Sequence, residues 1–168
     1  MNRVAALLPM ALVAITGSVT SAAGDGSVSL EPEAQSRSSM RISLTFPDKT
    51  LTATLTGSET SRDFVSLLPL TLTMRDLFGR EKYARLPRAP ADSADRRHTY
   101  EVGQLIYWSP GPDVAVYYRD DGERIPGPGI IVLGTVGSDV EALNVPGSVR
   151  VTIDLVGRTH DGGSDRSR

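Results

Sequence analysis

Residues Ser61 to Met74 read SRDFVSLLPLTLTM, and the stretch changes period in its middle. Phe64, Leu67 and Leu68 fall at i, i+3 and i+4, one narrow helical face, while Arg62, Asp63 and Ser66 stay outward. Thr60 or Ser61 is the expected cap for the first free backbone N–H groups, and Asp63 complements the positive end of the helix. Pro69 stops the helix, because it disfavours helical geometry at Leu68 and lacks the N–H that a continuing helix needs. Beyond it Leu70, Leu72 and Met74 alternate with Thr71, Thr73 and Arg75, the period of a strand with one buried face. The stretch therefore predicts a short helix that plugs or lids a sheet, followed by a strand that helps to build that sheet.

Most of the neighbouring sequence also has strand period. Met40, Ile42, Leu44 and Phe46 alternate with polar residues, and after Pro47-Asp48-Lys49 so do Leu51, Ala53 and Leu55, which predicts a hairpin. Gly79 and its charged neighbours place a turn within Asp76 to Lys82, with a short strand over Tyr83 to Leu86. Pro87 to Thr99 has no apolar period and reads as a mobile surface loop. Leu105 to Trp108 and Val114 to Tyr118 form a second predicted hairpin that carries most of the aromatic mass. Ile130 to Val136 reads as a buried strand, Asp139 to Leu143 as a single helical turn, and Val149 to Leu155 as the last strand. Many short strands joined by tight turns predict a mainly β fold, a closed barrel or sandwich with one or two short helices.

The ends have a different character. Arg3, an uncharged run from Val4 to Gly17, and small residues at Ala22 and Ala23 follow the plan of a secretory signal peptide over residues 1–23. That run falls short of the roughly 20 apolar residues that span a bilayer, so export without a membrane anchor is the expectation, to a periplasm or the outside of the cell. Residues 24–39 read as a flexible linker, 40–155 as one domain, and 156–168 as a disordered tail. The 168-residue chain has no cysteine, so stability is expected from the core alone, and a net charge of −2 argues against a nucleic-acid partner.

Several segments together resemble a known family: TSRDFVSLLPLTLTMRD (Thr60 to Asp76), ARLPR (Ala84 to Arg88), YEVGQLIYWSPGPDVAVYYRD (Tyr100 to Asp120), IIVLGTV (Ile130 to Val136) and LNVPGSVRVTID (Leu143 to Asp154). In order, they are similar to the small bacterial and archaeal cyclophilin-like fold proteins. The resemblance implies a closed cyclophilin-like β-barrel with a short helix at one end. Cyclophilins that isomerise X-Pro bonds carry an arginine in a Phe-His-Arg stretch and a later Gln-Phe strand. Neither stands in this sequence, so no catalytic residue carries across.

Candidate binding residues come from the strands. Arg75 and Arg85 are placed to face a groove on the barrel wall, with Phe78 and Tyr83 nearby to stack on a ligand. Tyr107, Trp108, Tyr117 and Tyr118 cluster in one hairpin, where alternation sends one of each pair inward and leaves the other for an aromatic outer surface suited to proline or another apolar group. His98 and His160 have no metal-ligand spacing, so neither a metal nor a cofactor is expected. Asp120-Asp121-Gly122-Glu123 lacks the acidic ladder of a calcium loop, and no G-x-S-x-G elbow occurs. The resulting expectation is an exported, non-catalytic barrel that binds a proline-containing peptide or a small molecule. The alternative is a peptidyl-prolyl isomerase with a non-standard site, and a ligand held inside the barrel is a third reading.

Overall fold

A computed structural model describes residues 40–157. The proposed signal peptide, most of the tail and the linker lie outside the described residues. The described residues form nine strands: β1 (Arg41–Thr45), β2 (Thr50–Leu55), β3 (Leu70–Leu77), β4 (Glu81–Arg85), β5 (Arg96–Arg97), β6 (Gln104–Trp108), β7 (Asp113–Tyr117), β8 (Ile130–Val136) and β9 (Val149–Leu155). One helix, α1 (Glu59–Val65), and a 3-10 turn at Val140–Leu143 complete the regular structure of the described residues. Among the described residues no helix is long and apolar enough to cross a membrane.

The strands run in the order β2-β1-β9-β3-β4-β7-β6-β8, all pairings are antiparallel, and β2 pairs with β8 to close an eight-stranded barrel. Closure depends on Gly134. A Cβ there would lie 2.5 Å from the Thr54 carbonyl oxygen and 3.0 Å from Leu55 Cα, so only glycine lets β2 approach. The β6–β8 register slips beside this point: Leu105 faces Gly134 but Ile106 faces Val132, leaving Leu133 as a bulge. Such a bulge bends the strand as closure requires.

Alternation sorts the side chains onto two faces. Leu105 and Tyr107 of β6, Val114 and Val116 of β7, and Ile131 and Leu133 of β8 join Ile42, Leu44, Met74 and Ile153 in the barrel interior. Phe64 of α1 and Leu68 also reach this core, so the helix does lid the barrel. The helix is shorter and earlier than its periodicity implies. Ser58, rather than Thr60 or Ser61, caps it by accepting from the Ser61 N–H. Leu67 and Leu68 lie beyond it in a tightened turn whose N–H groups donate to the Phe64 and Val65 carbonyls. Pro69 follows, and β3 begins at Leu70.

Two other expectations are corrected. Residues Pro87 to Thr99 include β5, which pairs Arg96 and Arg97 with Ile131 and Ile130 and covers the part of β8 that β2 does not reach. The loop's start is tied to α1 as well: Arg88 donates to Asp63 at 2.6 Å and 2.9 Å, and the Ala91 N–H donates to the same carboxylate at 2.7 Å. Asp76 and Lys82, read as turn residues, instead face each other across β3 and β4. A strand residue alternates faces whatever its charge, and the register turns both side chains inward.

Lys82 is wholly buried, 3.0 Å from Asp76, and it donates to the carbonyls of Val145 and Gly147. Tyr118 donates to Asp76 at 2.5 Å. Burial, which raises the Asp76 pKa, is outweighed by hydrogen bonds from Tyr118, Lys82 and the Gly79 N–H, so the carboxyl titrates below its ordinary range. A depressed carboxyl stabilises the fold above its unfolded pKa, and that contribution is lost as pH falls through the folded one. Asp76→Asn is therefore expected to reduce stability at pH 7 by about 2–3 kcal/mol, with the gap to the native chain narrowing below about pH 4. Urea unfolding across that range checks both the size and the slope.

Candidate functional site

The outer face of β7, β6 and β8 is largely apolar too, with Tyr83 of β4 beside it. Ile106, Ala115, Tyr117, Ile125 and Ile130 form a second buried cluster, with Tyr83, Tyr100 and Trp108 packed against it. This explains why β6, β7 and β8 read as nearly continuous apolar runs: both of their faces are covered. The cover comes from the segment after β7 and from Tyr100, which precedes β6. Asp121 accepts from Tyr100 Oη at 2.5 Å and from Arg80 Nη1 at 3.1 Å, and the Ile125 N–H donates to the His98 carbonyl at 2.9 Å. The Tyr100 ring stacks on Tyr117 at 3.9 Å between centroids, burying it.

Cover is incomplete, and a cleft of about 280 Å³ remains. Register explains the hollow. Tyr83 of β4 faces Ala115 of β7, which faces Ile106 of β6, so a methyl group sits between large neighbours. Tyr83, Trp108 and Tyr117 form its aromatic sides, Ile106 and Ile130 complete the floor, and Phe78, Ile125 and Pro126 edge it. Arg80 and Glu81 line one end, and Asp113, the cross-strand partner of Trp108, lines the cleft near Arg85.

The charged groups at the cleft are paired within the protein. Arg80 Nε lies 3.3 Å from Glu81 Oε1, while Nη1 engages Asp121. Both Arg80 and Glu81 are buried. Desolvation pushes the Glu81 carboxyl above its ordinary range against the pull of Arg80 and of the Tyr117 hydroxyl, and burial beside Glu81 pushes Tyr117 well up in turn. Asp113 is likewise raised by burial and lies 3.6 Å from Arg85 Nε.

The eight residues expected at a site separate into three groups. Phe78, Tyr83, Trp108 and Tyr117 line the cleft. Arg75 and Arg85 stand at its border: the Arg75 guanidinium lies 5.1 Å from the Tyr83 ring centroid, and Arg85 is largely exposed beside Asp113. Tyr107 and Tyr118 point into the barrel interior and take no part in the cleft. Tyr117 is on the outer face, as alternation requires, but it is buried under Tyr100 and not on an open aromatic surface. Sequence reasoning missed Arg80, Glu81, Ala115 and the covering residues Tyr100, Ile125 and Pro126. Glu81 and Ala115 share face parity with Tyr83 and Tyr117 and were legible that way; the others sit in turns and loops with no period. Among the described residues no cluster of His, Asp or Glu has metal-binding geometry.

The profile of the cyclophilin-like family matches residues 44–154, and the chain belongs to that family. In fold it is similar to the solution structure of the hypothetical protein AF2241 from Archaeoglobus fulgidus, at 23% identity and a TM-score of 0.57. That similarity covers 69% of this chain and 94% of the archaeal one. No curated protein matches the sequence.

The raised Glu81 carboxyl has the opposite linkage to Asp76. Its contribution to stability is fully present below the unfolded carboxyl pKa and is lost as pH rises through the higher folded value. Glu81→Gln lacks that loss, so its stability relative to the native chain is expected to improve as pH rises from about 4 and to level off once the folded carboxyl has ionised. Parallel urea titrations of the two proteins measure this difference, and a flat difference would show that Glu81 is not buried as a carboxyl.

Proposed function

We propose that this chain is an exported, non-catalytic binding module whose outer-wall cleft takes a proline-containing peptide segment or a small molecule, without a cofactor. The observation that carries the reading is the cleft itself. It combines an apolar floor with aromatic walls, it is open to solvent, and a few polar groups converge at its edges, which is the usual make-up of a ligand site. Its size falls just below the usual range for such sites, so it suits one ring or side chain rather than a nucleotide-sized cofactor.

The arginine that lines the cleft favours binding over catalysis. Weakening an X-Pro amide needs a donor free to reach it, and Arg80 already donates to Glu81 and Asp121. One observation favours the isomerase alternative: Arg75 is exposed and stands against Tyr83 at the cleft's border.

Adding the purified chain to an X-Pro peptide and following cis/trans exchange by NMR separates the two. One ring burying about 150 Å² at about 25 cal/mol per Å² gains about 4 kcal/mol before the cost of immobilising the peptide, so half-saturation is expected at a peptide concentration on the order of 1 mM or above. Peptide signals and the single indole resonance of Trp108 are expected to shift, while exchange stays at the spontaneous tens of seconds. Faster exchange that disappears in Arg75→Ala would replace the binding module with an isomerase. An unchanged indole resonance with every peptide would remove the cleft as the binding site.

A further inference from the structure

The turn between β3 and β4 carries an aromatic residue in an unfavourable place. Phe78 has φ 55° and Gly79 has φ 62°, and the Arg80 N–H donates back to the Leu77 carbonyl at 3.2 Å. Glycine suits Gly79 on two counts, since a Cβ there would also lie 2.7 Å from Arg119 Nη2. Phe78 has no such reason to be where it is. A bulky side chain in the left-handed region is strained, and asparagine, aspartate or glycine is the usual occupant of such a turn position. The ring does not recover that strain by burial, being 73% exposed. Its partner within the chain is the Arg80 guanidinium, 5.2 Å from the ring centroid.

The same ring edges the cleft. We infer that Phe78 is held in this strained, exposed position to close over an uncharged apolar ring, prolyl or aryl, seated above Ala115. The inference rests on the binding function proposed above and adds the class of group bound and the residue that grips it. The choice of an uncharged ring follows from pairing. Among the residues that line the cleft, Arg80 meets Glu81 and Asp121 and Asp113 meets Arg85, while Arg75 stands outside the lining against the Tyr83 ring. A charged ligand seated in the cleft would therefore have to compete with an existing ion pair as well as lose its hydration. A neutral ring gains the contact of Phe78, Tyr83 and Trp108 without that loss.

The test uses the full chain and four probes: N-acetylproline methylamide and benzyl alcohol as neutral rings, benzoate and benzylammonium as charged ones. Binding is read from the Trp108 indole resonance and stability from urea unfolding. The native chain is expected to bind both neutral probes and to bind the charged pair at least tenfold more weakly. Phe78→Gly is expected to weaken the neutral probes about fivefold to tenfold while raising the urea midpoint by about 0.3 M, because glycine relieves the left-handed strain. Phe78→Leu keeps the strain and lacks the ring, so it is expected to lose affinity with no gain in midpoint. Unchanged affinity in both variants, or tighter binding of a charged probe, would overturn this inference and leave the cleft as a binding site. A lower midpoint in Phe78→Gly would overturn the strain argument. Failure of the native chain to respond to any probe, or to the X-Pro peptides, would overturn the cleft's function together with the inference.

Discussion

An eight-stranded barrel encloses a space just wide enough for its own side chains to fill. Here Ile42, Leu44, Phe64, Met74, Leu105, Tyr107, Leu133 and Ile153 are among those that fill it. Every other feature follows from that constraint. With the interior occupied, the proposed ligand would have to be met on the outside, where the wall supplies its own apolar surface and cover. The second cluster, built on β6, β7 and β8 and roofed by Tyr100 and Ile125, does so. The cleft is the part of that outer layer left unroofed. The side chains that occupy the interior speak against a ligand inside the barrel, one of the readings open from sequence.

The wall also separates two ionic arrangements that are neighbours in sequence. Glu81 and Lys82 are consecutive, so the pleat sends one to the outer face and the other inside. Inside, Lys82 ties Asp76 and two carbonyls of the segment before β9, which fixes that segment across the barrel. Outside, Glu81 holds Arg80, and Arg80 holds Asp121 and with it the covering loop. Each charge is compensated on its own side. Buried pairs of this kind contribute little net stability, but removing one partner is strongly unfavourable, so both serve chiefly to hold segments in position.

Arg80 illustrates where reading by period stops. Arg75, Tyr83 and Arg85 share a face by parity, and the structure does put them on the outer wall. Arg80 lies in a turn, where parity says nothing, and its position depends on the positive φ values of Phe78 and Gly79. Tyr100 and Ile125 are similar cases, placed by hydrogen bonds to Asp121 and His98 across long separations. The helix boundary failed for a related reason. Leu67 and Leu68 keep helical spacing, but the chain ends its regular helix at Val65 and continues in tightened turns toward Pro69.

Sequence alone determined the mainly β character, the two aromatic faces of the β6–β7 hairpin, the short helix before β3, and the family. Those properties are local: they follow from a side-chain period of two, from proline and glycine geometry, and from contiguous motifs. Only the tertiary structure decided that β2 meets β8 across Gly134, that Tyr117 is roofed by Tyr100, and that Ala115 lies at the bottom of a cleft. Alternation assigns residues to opposite faces but does not state which face is covered or by what. Cover is set by strand register and by loops that carry no period, and both are fixed by contacts between residues far apart in the chain.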